Sequence, residues 1–151
     1  MLHLDVPKPY TFATSVCDHG WPSLAPNQWI AENQMLQRVE QLTTGRVVLL
    51  QITGVNAGDT IRIHIDVQAD GMLTTAETSE IGAAVRWMLK LDEEFADFYA
   101  LAARHAHIGR VVAQGRGRLL RSPTLWEDVV KTIATTNVTW RNTKGMIQRL
   151  V

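Results

Sequence analysis

Cys17-x-His19 and His105-x-His107 are the pairs whose side chains are of metal-ligating type and close in sequence. A zinc site needs three or four converging ligands at about 2.0–2.3 Å, and neither spacing is a strong zinc signature. Both pairs therefore read as ordinary loop and surface residues, with no metal expected. Gly115-Arg116-Gly117 is half of a phosphate-loop pattern, but it does not complete GxGxxG and no clear strand precedes it. No Ser/His/Asp order and no HExxH motif is present. The acid pairs Glu93-Glu94 and Glu127-Asp128 fall where helices begin, and carboxylates there complement the helix dipole rather than act as an acid and base. No catalytic residue and no cofactor is expected from these residues.

The basic residues carry more information. The formal net charge is zero. Residues 1–97 hold 6 Lys/Arg and 13 Asp/Glu, a net of −7, and residues 98–151 hold 9 Lys/Arg and 2 acids, a net of +7. Arg104, Arg110, Arg116, Arg118 and Arg121 come first, and Lys131, Arg141, Lys144 and Arg149 follow. The planar guanidinium fork suits phosphate recognition, and charge asymmetry of this kind points to nucleic acid or membrane. The other reading is that the two halves neutralise each other. Thr135-Thr136-Asn137 lies beside these charges, between two helix patterns. Short hydrogen-bonding side chains at such a joint approach a nucleic-acid backbone or base edge closely.

The elements that position these residues change period along the chain. Tyr10, Phe12, Thr14 and Val16 alternate with Thr11, Ala13 and Ser15, which predicts a strand. Residues 17–34 read as a structured loop. Residues 35–42 fit a helical period through Met35, Val39 and Leu42. VVLLQIT (47–53) and TIRIHIDV (60–67), joined by the turn-rich GVNAGD, predict a hairpin with Ile61, Ile63, Ile65 and Val67 facing in. Thr74 with Glu77 is a capping box, followed by Ile81, Ala84, Val85 and Met88 at helical spacing. Asp92 is expected to cap a helix carrying Phe95, Phe98, Tyr99 and Ala102. Ser122-Pro123 is expected to open another, with Trp126, Val129, Val130 and Ile133 as its apolar stripe. Thr139 is expected to cap a last helix with Trp140, Thr143, Ile147 and Leu150 on one side. Trp126 and Trp140 are expected in the core. Strands precede helices, so the class is α+β. The last helix stops inside an apolar period with no stop signal, which leads to an expectation of further sequence downstream.

Length and composition set the frame. The 151 residues are 46% hydrophobic and 20% charged, enough for one domain or slightly more, since domains cluster near about 100–150 residues. One cysteine excludes an internal disulfide framework. No run of apolar residues is long enough for a membrane helix, and MLHLDVPKPY lacks the features of a secretory signal. A cytoplasmic protein without a membrane partner is the expectation.

GRLLRSPTLWEDVVKTIATTNVTWRNTKGMIQRLV (117–151) closely resembles the helix-hairpin-helix base-excision DNA glycosylases, relatives of the 8-oxoguanine and 3-methyladenine enzymes. The resemblance rests on an Arg-Leu-Leu-Arg lead, a helix opened by proline, then Ile, two small residues and Asn before the next helix. MLKLDEEFADFYAL (88–101) matches the preceding helix pair. The resemblance implies an N-terminal α+β domain over 1–91, a curved antiparallel sheet with a packed helix like one repeat of TATA-binding protein, and it moves 35–42 to strand. Residues 92–151 would be the first helices of the all-α glycosylase domain. The family's hairpin, usually Leu-Pro-Gly-Val/Ile-Gly, its catalytic aspartate and the lysine of its bifunctional members are not in this sequence. The resemblance therefore implies the N-terminal half of a glycosylase, inactive alone.

Carried over residue by residue, Asn137 matches the asparagine that fills the space of the extruded base, and Thr135 and Thr136 match the small polar residues before it. Val138 and Thr139 stand where the 8-oxoguanine enzymes have asparagines, which puts cytosine-specific reading in doubt. Arg118, Arg121, Arg141 and Lys144 are the expected phosphate contacts. Trp21 lies where relatives line the base pocket, to stack on a flipped base, or else is a half-buried packing residue. The implied function is damage recognition and scaffolding, with duplex DNA bound weakly and in a salt-dependent way, and a missing C-terminal half or a homodimer as partner. The alternative is a non-enzymatic nucleic-acid- or protein-binding module on the same fold.

Overall fold

A computed structural model of the chain describes residues 1–151. The fold is α+β: a five-stranded antiparallel sheet, then several helices. The strands are β1 (Leu2–Pro7), β2 (Asn27–Ile30), β3 (Met35–Gln41), β4 (Val47–Ala57) and β5 (Thr60–Gln68), in the spatial order β1-β5-β4-β3-β2. The helices are α1 (Phe12–Cys17), α2 (Thr75–Met88), α3 (Ala96–Ala102), α4 (Gly109–Ala113), α5 (Leu125–Thr135) and α6 (Trp140–Leu150).

Alternation in β4 and β5 sets which face is buried. Val48, Leu50, Ile52, Ile63 and Ile65 point into the core, where Ile81, Val85 and Met88 of α2 meet them. Arg62, His64 and Asp66 point away, as expected. The hairpin turn is tighter than the sequence suggests. β4 runs on through Gly54-Val55-Asn56-Ala57, and Ala57 faces Thr60, so Gly58 and Asp59 alone make the turn. Gly58 takes φ +72°, which a two-residue hairpin loop asks of its first residue. Residues 35–41 form a strand, so sheet pairing overrides the helical spacing of Met35, Val39 and Leu42.

The strand expected over 10–16 is the helix α1 instead. Phe12, Ser15 and Val16 are its buried residues, a one-turn spacing hidden inside the alternating pattern. A six-residue helix is marginal alone, and this one is held by packing on β4. Phe12 sits so close to Gly54 that a Cβ there would lie 2.4 Å from the Phe12 Cβ.

Two helix starts also shift. Asp92 does not cap; Phe95 occupies the N-cap position of α3, and Asp92 pairs with Arg86 at 2.9 Å. Thr124, not Ser122, caps α5, its hydroxyl accepting from the Glu127 N–H at 3.2 Å. The capping box of α2 and the Thr139 cap of α6 form as expected.

The two tryptophans expected in the core are not there. Trp126 is 75% exposed and Trp140 39%. α5 turns Glu127 and Lys131 toward the sheet and leaves Leu125, Trp126, Val129 and Ile133 outward. Trp140 lies over Gly20, whose missing side chain makes room for its ring.

Gly54→Ala is expected to lower stability by about 1–3 kcal/mol, the usual cost of overpacking. Gly82→Ala, inside α2 with open space at its Cβ, is expected to raise it by up to about 1 kcal/mol. Urea unfolding reads both, and equal midpoints for the two variants would contradict the packing of α1 on β4.

Candidate nucleic-acid interface

The helical pair that carries the expected site is fixed to the sheet by charge. Arg38 occupies a core-facing position of β3, in the same alternation as Leu36, and is 3% exposed. Its guanidinium donates to both carboxylate oxygens of Glu127, at 3.0 and 2.6 Å, to Asn27 Oδ1 at 3.0 Å and to Glu40 at 2.5 Å. Lys131, one turn along α5, donates to Glu127 Oε1 at 2.6 Å and is also buried. Burial acts to raise the Glu127 carboxyl, but the hydrogen bonds and charges of Arg38 and Lys131 outweigh it, so it ionises below its usual range. Burial pulls the Lys131 ammonium down despite Glu127. Glu127 gains from two cations and Arg38 from two carboxylates, Glu127 and Glu40, whereas Lys131 hydrogen-bonds to Glu127 alone and is repelled by Arg38.

Beside this network, Trp21 Nε1–H donates to Asp128 Oδ1 at 2.8 Å, and the same oxygen accepts the Ser122 N–H at 2.9 Å. Trp21 is half-buried, packed against the core, with His19 edge-on at 5.4 Å. Its indole is thus a joint between the loop after α1 and the start of α5. Glu127 and Asp128 do lie in the first turn of α5, and each also makes a specific contact that dipole complementarity alone does not require. His19 Nδ1 accepts the Trp21 N–H at 3.2 Å, and burial pulls this imidazole below its usual range.

α5 and α6 pack on each other through Thr143, whose hydroxyl donates to Ala134 O at 3.0 Å, and through buried Ile147. Thr135 and Thr136 donate their hydroxyls to Thr132 O and Ile133 O, each at 2.6 Å. They finish α5 and have no free proton to offer. Asn137 follows at φ +53°, which asparagine tolerates better than most residues. Its side chain is exposed and without a hydrogen bond, with exposed Val138 beside it. Along α6, Arg141, Lys144 and Arg149 are exposed, and none makes an ion pair. Val138, Arg141, Asn142, Gly145, Met146 and Arg149 line a shallow groove of about 340 Å³.

The other expected contacts lie elsewhere. Arg118 is 8% exposed. It donates to Lys90 O and Glu93 O at 3.1 and 2.8 Å and stacks on the Phe95 ring at 4.2 Å. Arg121 lies 3.5 Å over the Trp87 ring, donates to Trp87 O and pairs with Glu93 at 3.3 Å. These two arginines tie residues 118–121 to the end of α2 and the loop after it, so neither presents a free guanidinium to a phosphate. Arg116 pairs with Asp18 and Lys131 with Glu127. Arg104, Arg110, Arg141, Lys144 and Arg149 remain unpaired.

A cavity of about 600 Å³ opens where α5, α6 and the β2–β3 edge meet, between Pro26, Trp126, Val130, Ile147 and Leu150 with Glu127 and Lys131 inside. Sequence reasoning did not find the charged docking corner. Its signals were the Glu127/Lys131 spacing of four and an arginine in the apolar column of β3. No three His, Cys, Asp or Glu side chains converge on a metal position. Cys17 is exposed and free. No helix is long and apolar enough to cross a membrane. No protein-family model and no curated protein matches the chain.

Glu127→Gln leaves Arg38 and Lys131 buried against a neutral partner and is expected to cost about 3–5 kcal/mol. The triple variant Arg38→Met/Glu127→Leu/Lys131→Met is expected to be neutral or up to about 4 kcal/mol more stable. A loss under about 1 kcal/mol for the single variant would show that charge does not dock α5. The acid limb of stability should have two stages. His19 has a lowered value, so the unfolded chain protonates first and stability falls as pH drops below 6.5. Glu127 is also lowered, so its contribution is complete above 4.5 and lost as pH falls through its folded value. His19→Gln should remove the first stage and leave the second.

Proposed function

We propose that this chain is the damage-recognition and scaffold portion of a base-excision DNA glycosylase, resembling the helix-hairpin-helix enzymes, and that it binds duplex DNA through the α5–α6 turn and the outer side of α6. One observation carries the reading. The basic half of the chain divides into cations spent on internal contacts and cations left free, and three of the free ones, Arg141, Lys144 and Arg149, lie on α6 just after the exposed Asn137. In this reading the sheet with α2 is the TATA-binding-protein-like domain of the family, and α3 to α6 belong to its helical domain. Asn137 and Val138 occupy the position from which a side chain enters the duplex. Thr135 and Thr136 shape the turn rather than touch bases, and Trp21 positions α5 rather than stacking on a base. The Leu-Pro-Gly-x-Gly hairpin and the aspartate that serve bond cleavage in the family are not among these residues, so this chain releases no base by itself.

The exposed ridge of Leu125, Trp126, Val129 and Ile133 supports the partner part of the proposal. Apolar ridges of that kind mark interfaces, and in the family further helices cover this layer. Here the cover is the rest of such an enzyme or, in the chain alone, a second copy. A protein-binding module without repair activity is the second reading, favoured by the same ridge.

Binding to a fluorescent duplex is expected to weaken steeply between 50 and 200 mM salt, as phosphate contacts release counterions. Arg141→Gln/Lys144→Gln/Arg149→Gln should reduce the salt slope by about 2–3, near one per contact. Arg121→Gln, which removes an internally paired guanidinium, should leave the slope unchanged. An unchanged slope in the triple variant removes DNA from the proposal and leaves the protein-binding reading. For association, light scattering across a concentration series is expected to show a dimer that Trp126→Asp/Ile133→Asp returns to a monomer. Both side chains are exposed in the single chain, so the substitutions spare its core. A wild-type monomer at every concentration rules out self-association.

A further inference from the structure

The outer face of the sheet holds a pair of side chains that neither the core nor the α5–α6 face uses. β1 and β5 pair in a register that places His3 directly opposite His64. Leu2, Leu4, Ile63 and Ile65 in the same strands pack with the core, so alternation puts both imidazoles on the opposite, uncovered face. Directly opposed residues hold their Cβ atoms about 4.5–5.5 Å apart, a span that two imidazoles close over a single ion. Six consecutive residue pairs join β1 to β5, so the backbone beneath the two rings is fixed before any ligand arrives. His3 is exposed and His64 half-buried, and neither ring makes a hydrogen bond or an ion pair. The next pair along the same face, Asp5 and Arg62, is joined by two hydrogen bonds of 2.8 and 3.0 Å. Its Asp5 carboxyl is lowered chiefly by the hydrogen bond from Arg62, and the nearby His3 and His64 act in the same direction. Asp66, two residues from His64 on the same strand face, is exposed and unpaired.

We propose that His3 and His64 chelate one zinc-class divalent transition ion on the outer face of the sheet. Neutral imidazole is a favoured ligand for such ions, and no thiolate is near to bias the site toward soft metals. Two imidazoles are fewer than the three or four protein ligands of a dedicated zinc site, so water fills the remaining positions and the ion is held exchangeably. The ion bridges the edge strand β1 to its neighbour, so binding favours the folded edge over the frayed one.

The test uses the full chain with Zn²⁺ by calorimetry and Co²⁺ by visible absorption, together with hydrogen exchange of the β1 amides. One ion per chain, a Co²⁺ spectrum of nitrogen ligation and slower exchange in β1 are expected. The second imidazole binds intramolecularly, so losing either ring should weaken binding by about tenfold or more. His3→Gln and His64→Gln should each do so, and His105→Gln/His107→Gln should not. Binding that survives His64→Gln, binding lost with His105 and His107, or no binding above that of the His3→Gln/His64→Gln variant would each overturn the proposal.

Discussion

The placement of α5 and α6 depends above all on one ion pair, Arg38 with Glu127. An arginine in the apolar column of a strand is costly to bury unless its charge and its donors are met. Here three side chains, Asn27, Glu40 and Glu127, meet them. Glu127 is the one that comes from outside the sheet, so satisfying Arg38 fixes where α5 must lie. Lys131 then has to follow Glu127 inward, because the two are one turn apart on the same helix. With its charged side committed to the sheet, α5 has no choice but to present its apolar stripe outward. α6, packed on α5 through Thr143 and Ile147, inherits that orientation.

This constraint explains which parts of the structure were legible in the sequence. The hairpin of β4 and β5 was readable because burial on one face imposes strict alternation, and alternation is visible in Ile61, Ile63, Ile65 and Val67. The caps at Thr74 and Thr139 were readable because they are local: a side chain and an amide three residues on. The orientation of α5 was not. Its stripe of Trp126, Val129, Val130 and Ile133 is a sound amphipathic pattern, and the usual inference buries such a stripe. The opposite outcome depends on Arg38, 89 residues away in sequence from Glu127, and no local pattern reports a contact at that range. The helix α1 failed for a related reason. Seven residues satisfy two periods at once, and contact with Gly54 decides between them.

The charge asymmetry was visible as a total and invisible as a distribution. Four of the nine cations after residue 97 are spent inside: Arg116 on Asp18, Arg118 on two carbonyls and an aromatic ring, Arg121 on Glu93 and Trp87, and Lys131 on Glu127. Mutual neutralisation of the two halves therefore accounts for part of the basic segment, through Arg116 with Asp18 and Arg121 with Glu93. Arg118 and Arg121 drew attention because arginine suits phosphate, yet the same planar fork suits a backbone carbonyl and a ring face. Side-chain type cannot separate these uses; burial does.

The division has a mechanical consequence for the candidate interface. A recognition turn must hold its shape while its surroundings meet a charged polymer, and an exposed ion pair is a poor anchor there because salt and phosphate compete for it. The anchors of α5 avoid that competition. Arg38 and Lys131 are almost completely buried, and Glu127 is mostly so. The cations that are open to competition, Arg141, Lys144 and Arg149, bear no structural load, since no ion pair or side-chain hydrogen bond holds them. Thr135 and Thr136 lock the end of α5 by donating their hydroxyls to the Thr132 and Ile133 carbonyls, and Thr139 locks the start of α6, so Asn137 sits in a turn whose geometry is set from both sides. Buried charge supplies orientation and exposed charge stays available. Under the proposed function, this separation would let a polyanion approach the turn without loosening the contacts that aim it.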